Sequence, residues 1–160
     1  MERAATILLF WGVDGEPRTR DLLEPLLNGY HSICLPRCLP DRGMEARRFL
    51  GLEHLLPGGY GIPEPDDACP VVPRDKLDLI LVPNLCCDGD CFRLGHGGGY
   101  YDRYLAGFPG RTVALCRDGL LVPRVPTDEF DLPVELVLTE TRCLSGSGAE
   151  RSGAHRPASK

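Results

Sequence analysis

The sequence predicts an α/β fold: a three-layer α/β/α domain on a mostly parallel sheet. Three observations carry that prediction. Two runs, TILLFWGV at 6–13 and LDLILVP at 77–83, are almost wholly apolar and lack the alternation of a strand with one wet face, so both read as strands buried on both sides. A stretch with apolar residues at helical spacing, 20–27, separates the first run from HSICL at 31–35, which makes a βαβ unit with an expected right-handed crossover. The second run leads into RLGHGGGYYDR at 93–103, a glycine-rich loop opening a helix. In such sheets ligands bind at the carboxyl ends of strands.

Taken in order, the strand at 6–13 ends at the turn Asp14-Gly15-Glu16-Pro17. Thr19 is placed to cap the helix over 20–27, whose apolar side is Leu22, Leu23, Leu26 and Leu27, with Pro25 tolerable only in its first turn. Asn28-Gly29 ends that helix, and Pro36-Arg37 is expected to stop the strand at 31–35. Residues 46–50 form a short strand in an antiparallel excursion. Residues 57–73, with five prolines and three glycines, read as a structured loop. The run at 77–83 delivers the glycine loop and a helix over 100–108, and RTVALC at 111–116 is the next strand. Residues 120–122 and 135–138 are short later strands. The glycine loop and the turns at 14–18 and 36–37 then share one rim.

The chain has 160 residues, the size of one domain with a single core. Residues 1–144 are read as that domain and 145–160, rich in Ser, Gly, Ala and charge, as a disordered tail. A net charge of −5 offers no whole-chain attraction to nucleic acid or an anionic membrane. The apolar runs are too short to cross a bilayer, and the first lacks a basic flank and a cleavage pattern, so a cytoplasmic protein is expected. The eight cysteines include no C-x-x-C pair and no zinc-finger spacing, and are read as buried reduced thiols.

The glycine loop is the centre of chemical interest. Gly95, Gly97, Gly98 and Gly99 let backbone N–H groups approach a phosphate, Arg93 and His96 add donors, and Asp102 can reach a phosphate-borne magnesium ion. The same residues also suit a mobile turn whose glycines only permit positive φ. The loop has no G-x-x-x-x-G-K-[ST], and Tyr100 occupies the third glycine of G-x-G-x-x-G, so neither a P-loop nor a dinucleotide turn is present.

The segment LDLILVPNLCCDGDCFRLGHGGGYYDRYL resembles the signature of the 5-formyltetrahydrofolate cyclo-ligase (5,10-methenyltetrahydrofolate synthetase) family. The similarity extends to ILLFWGVDGEPRTRDLLEPLL, ICLPR, GGYGIPEP and VPTDEFDLPVELVLTE, about residues 5–140. It implies a fold like that of NagB, RpiA and the CoA transferases. It also implies an ATP-dependent ligase converting 5-formyltetrahydrofolate to 5,10-methenyltetrahydrofolate with release of ADP and phosphate, through phosphorylation of the formyl oxygen. Arg93, His96 and Tyr100 are its implied catalytic residues. Arg93, Gly95, His96, Gly97, Gly98, Gly99 and Tyr100 are implied to bind ATP. Trp11, Glu16 and Tyr60, with His96 to Tyr100, are implied to bind the folate. Asp102 and Asp131 are implied Mg2+ ligands. MgATP and 5-formyltetrahydrofolate are the partners, with no nucleic acid or membrane, in a monomer or weak dimer.

Three departures from the family pattern stand out. The family begins with helices bearing a basic pair, whereas here the first strand follows Met1 almost at once. Asn84 and Cys86-Cys87 replace glycine and an Ala-Phe pair, and Phe130 stands where a polar residue is commoner. The alternative function is therefore a truncated folate- or nucleotide-binding domain with weak or no turnover, and a third is an interaction module that retains only the fold.

Overall fold

Burial on both faces explains why the first apolar run is a central strand. The computed structural model describes residues 4–129 and 131–146. β1 (Thr6–Leu8) sends Ile7 to one face of the sheet and Leu8 to the other. On the first face Ile7 and Leu9 pack with Ile33, Leu35, Leu81 and Val113; on the second, Leu8 packs with Cys34, Ile80, Val82 and Ala114. This two-residue alternation, apolar on both sides, is the signature of a fully covered sheet.

The chain passes from β1 through α1 (Leu23–Asn28) to β2 (Ser32–Cys38), which pairs parallel to β1. β3 (Met44–Arg48) returns antiparallel, β4 (Leu55–Pro57) and β5 (Pro63–Pro65) form a separate hairpin, and β6 (Val71–Val72) closes that edge. β7 (Leu79–Val82) then pairs on the other side of β1. A hairpin of β8 (Cys86–Cys87) and β9 (Arg93–Leu94) precedes α2 (Tyr100–Leu105), β10 (Arg111–Leu115), β11 (Leu136–Leu138) and β12 (Cys143–Ser145). The main sheet has the order β12-β11-β10-β7-β1-β2-β3-β6, parallel from β11 to β2 and antiparallel at its edges.

From β1 the chain moves one way and from β7 the other, so the carboxyl ends of these two strands form the topological switch point. The same reversal puts the two helices on opposite faces. Leu22, Leu23 and Leu26 cover the first face, while Tyr104 and Leu105 cover the second. Crossovers of one hand moving in opposite directions require that arrangement. The three layers are thus α1, sheet and α2. No helix among the described residues is long and apolar enough to cross a membrane.

Several boundaries differ from expectation. The first helix is a 3-10 turn, Thr19–Leu22, running into α1, which places Pro25 in the first turn of α1. Thr19 does not cap it: its side chain is buried under the preceding loop. Pro36-Arg37 does not stop β2, because β1 leaves at Cys34 and beyond it β2 is partnered by β3 alone, where a proline need not cost a ladder bond. Residues 120–122 make no strand, only a single bridge from Leu121 to Cys87. α2 ends at Leu105 rather than 108, with Gly107 at φ 70°. Order continues through β12 to Ser145; residues 147–160 of the expected tail lie outside the described residues. The cysteines among the described residues are all free, five of them buried.

Candidate functional site

The first half of the site is the loop after β1, and Thr19 shapes it. Its hydroxyl, 1% exposed, donates to the Phe10 carbonyl and accepts from Gly12 N–H at 3.1 Å. A Cβ at Gly12 would run into the Pro17 carbonyl, so the loop closes on itself only with glycine there. Within it Glu16 folds back, its Oε2 accepting from Val13 N–H at 2.9 Å while its own N–H donates to the Val13 carbonyl at 3.0 Å. The carboxylate is thereby held 90% buried at the carboxyl end of β1. Trp11 packs partly buried against the α1-side core beside it.

The second half is the glycine loop. Asp88, nearly buried, orders its approach: Oδ1 accepts from the N–H groups of Asp90 and Phe92, and Oδ2 from Val125 N–H at 2.8 Å. Asn84 ties the ends of β7 and β10 by donating to the Leu115 carbonyl at 2.9 Å. Beneath the loop lies Arg93, whose side chain is 6% exposed. It donates to the Pro83 carbonyl at 3.3 Å and to Asp102 Oδ1 at 3.2 Å, and its guanidinium lies 5.9 Å from the centre of the Tyr101 ring. Its Nε and the Tyr101 hydroxyl are buried without a hydrogen-bond partner. Burial lowers the Arg93 pKa against the opposing pull of Asp102 and, more weakly, Asp131, and the guanidinium stays charged. The loop therefore rests on a positive charge. Gly97 and Gly99 have φ of 86° and 73°, the left-handed region that a side chain disfavours. α2 has six residues, so its dipole contributes less to anion binding than the sequence argument assumed.

The two halves meet. His96 Nε2 lies 2.8 Å from Glu16 Oε1, joining residues 80 positions apart in the chain. Tyr100 shares a hydroxyl hydrogen bond with Tyr60, which raises the Tyr100 pKa; Tyr60, at φ 61° in the loop between β4 and β5, is otherwise exposed. Asp102 is half exposed above Arg93, and Asp131 Oδ2 accepts from Asp128 N–H at 2.8 Å. Among the expected site residues, Glu16 is thus paired with His96, Arg93 with Asp102, and Tyr60 with Tyr100, and the charge of Asp131 is felt by Arg93. Phe130 lies outside the described residues.

The rim differs from expectation at one corner. Pro36-Arg37 lies within β2 rather than in a turn, and Arg37 is engaged by Asp67 at 2.7 Å. The turn between β2 and β3 is what reaches the glycine loop: Arg42 donates to the Gly98 carbonyl at 3.3 Å, and Arg103 donates to the Asp41 carbonyl at 3.1 Å. Arg117, after β10, donates to the Gly15 carbonyl at 3.0 Å. Sequence reasoning passed over Arg42, Arg117, Asp88 and the buried role of Thr19. Asp88 had a local signal, an acidic residue opening the turn Asp88-Gly89-Asp90; the arginines had none, because their partners are backbone carbonyls remote in sequence. A groove of about 720 Å3 lies elsewhere, at the amino ends of β1 and β7 beside Thr6 and Asp78. The site itself is at the opposite end, where β1 and β7 terminate.

The sequence profile of the 5-formyltetrahydrofolate cyclo-ligase family matches residues 1–140. The 5-formyltetrahydrofolate cyclo-ligase of Escherichia coli (strain K12) is 32% identical over 148 residues, covering 87% of this chain and 80% of that protein. The enzyme of the same name from Mycolicibacterium smegmatis is 32% identical over 146 residues, covering 86% and 74%. The solved structure of Aquifex aeolicus 5,10-methenyltetrahydrofolate synthetase superposes with a TM-score of 0.78 at 28% identity, over 96% of this chain and 79% of that one. The Mycoplasma pneumoniae synthetase, at 20% identity and a TM-score of 0.65, shares the fold.

Proposed function

We propose how the site works from one premise: the chain belongs to the 5-formyltetrahydrofolate cyclo-ligase family. It is an ATP-dependent ligase that cyclises 5-formyltetrahydrofolate to 5,10-methenyltetrahydrofolate. The observation that carries the site assignment is the 2.8 Å contact between Glu16 and His96, which sets a buried carboxylate against the phosphate-binding loop at the switch point. A ligand lying across that contact has its pterin at the end of β1 and its formyl group at the loop.

In this reading Glu16 accepts from the amino and ring N–H groups of the pterin, after His96 turns from Oε1 towards the phosphates. Trp11 and Tyr60 flank the folate. The backbone of Gly95 to Gly99, with Arg93 beneath it, holds the γ-phosphate in line with the formyl oxygen. That oxygen attacks phosphorus and ADP departs. N10 then attacks the formyl carbon, the new C–N bond forms, the C–O bond to phosphate breaks, and N10 gives up its proton. Phosphoryl transfer of this kind depends on positioning and charge neutralisation rather than covalent help from the protein. Arg93 supplies fixed positive charge. His96 and Tyr100 are the proton-bearing groups nearest the reacting oxygens.

Asp102, half exposed beside Arg93, and Asp131 would hold a magnesium ion carried by ATP: magnesium takes one or two protein carboxylates plus phosphate oxygens and water. The ion would neutralise charge on the transferred phosphoryl group. Asp131 also closes the turn at Asp128, so its first role is to hold that turn in place. The same reading takes residues 1–144 as one domain acting as a monomer or weak dimer.

Mixing the purified chain with MgATP and 5-formyltetrahydrofolate is expected to yield methenyltetrahydrofolate absorbance that vanishes without ATP. Asp102→Asn is expected to abolish it while leaving the melting temperature within a few degrees. Turnover by Asp102→Asn at the unmodified rate would overturn the assignment of Asp102. Tight binding of both substrates with no product would convert the reading to a binding domain.

A further inference from the structure

Apart from the folate site, the hairpin of β4 and β5 gathers three side chains that ligate metals. His54 precedes β4, and Asp66 and Cys69 follow β5. Their donor atoms, Nδ1, a carboxylate oxygen and Sγ, all lie within 4.8 Å of one another. His54 Nδ1 is 3.0 Å from Asp66 Oδ2, and Cys69 Sγ is 3.6 Å from Asp66 Oδ1. Zinc bonds of about 2.0–2.3 Å at tetrahedral angles put neighbouring donor atoms about 3.3–3.7 Å apart, so three donors within 4.8 Å of one another come to share one ion through small side-chain rotations.

We propose that His54, Asp66 and Cys69 form a zinc site that clamps the β4–β5 hairpin to the edge of the main sheet. The backbone already holds the donors in position. Asp66 N–H donates to the His54 carbonyl at 2.8 Å, and Cys69 N–H to the Asp66 carbonyl at 3.1 Å. Arg47, on β3, donates to the Cys69 carbonyl at 2.9 Å and to the Asp66 carbonyl at 3.5 Å. Its own charge is offset by Glu45 at 2.7 Å. Asp66 Oδ1 also accepts from Ala68 N–H at 2.9 Å, which leaves Oδ2 to serve as the ligand.

The chemistry of the set selects the ion. A nitrogen, an oxygen and a sulfur donor suit borderline zinc and not magnesium or calcium, which take oxygen. A thiolate and a carboxylate balance a divalent charge. Cys69 is fully buried, whereas the side chains of His54 and Asp66 are 33% and 23% exposed, so a water completes the tetrahedron from the solvent side. Burial raises the Cys69 pKa, so the metal-free thiol keeps its proton; on binding, the sulfur–metal bond forms and that proton passes to solvent. A two-stranded hairpin is marginal on its own, and a metal is a common staple for such a piece. The donors lie twelve and three residues apart, outside finger spacing, so no local pattern signals a metal.

The test uses the chelator-treated full chain. Titration with Zn2+ by calorimetry is expected to show one equivalent bound, and the melting temperature to rise. Co2+ in its place is expected to produce a sulfur-to-metal charge-transfer band. Cys69→Ala removes the band, His54→Gln weakens binding at least tenfold, and Cys38→Ser, a half-buried thiol elsewhere, leaves both unchanged. Circular dichroism and melting of the metal-free variants show that they fold. Absence of one-equivalent binding, binding without the band, or binding unchanged in folded Cys69→Ala and His54→Gln would each overturn the proposal.

Discussion

Replacing Glu16 by Gln tests the folate end of the site with almost no change in shape. The carboxylate is 90% buried, with Oε2 anchored by Val13 N–H at 2.9 Å and Oε1 at 2.8 Å from His96. Glutamine can keep the anchor through its carbonyl oxygen, so the loop built by Thr19 and Gly12 should persist. What it loses is the negative charge that accepts from the pterin. A hydrogen bond to a charged group contributes about 1.5–3 kcal/mol, and about 1.4 kcal/mol is tenfold, so kcat/KM for 5-formyltetrahydrofolate should fall about 10- to 150-fold. KM for ATP should stay within about twofold, because the phosphates are held by the glycine loop on the other side of the contact. Initial rates of methenyltetrahydrofolate formation, with each substrate varied in turn, measure both quantities. An unchanged kcat/KM for the folate, or a loss confined to ATP, would refute the placement of the pterin at Glu16.

Two further outcomes follow from burial. Thr19→Val keeps the branched shape but strands the Phe10 carbonyl and Gly12 N–H, so urea unfolding should show a loss of about 1–3 kcal/mol, accompanied by a higher KM for the folate. At alkaline pH the thiols matter: burial pushes Cys34 and Cys91 up to about 11, above the ordinary thiol range near 8.5–9. Between those values the unfolded chain has released protons that the folded chain retains, so their contribution is full below the unfolded pKa and declines as pH rises to about 11. Melting temperatures measured across that window should fall, and Cys34→Ala should flatten the fall; a flat profile in the unmodified chain would contradict it.

The strands were legible where the chemistry was local. The runs at 6–13 and 77–83 announced β1 and β7 because residues buried on both faces leave no polar position to alternate. The loop at 95–99 was legible because Gly97 and Gly99 take φ values that other residues avoid. The boundaries that failed depended on neighbours. Pro36 continues β2 because of where β1 stops, and Thr19 turned from cap to buried clamp because the loop after β1 folds over it.

By itself, the sequence determined the fold class, the places of the central strands along the chain, the glycine loop and the family, since each rests on contiguous residues whose pattern carries its own physical meaning. Only the tertiary structure decided that Glu16 meets His96, that Arg42 rather than Arg37 reaches the loop, and that His54, Asp66 and Cys69 converge. Those are contacts between segments up to 80 residues apart. Strand order and the switch between β1 and β7 bring them together, and no local pattern records the distance between two side chains on different loops.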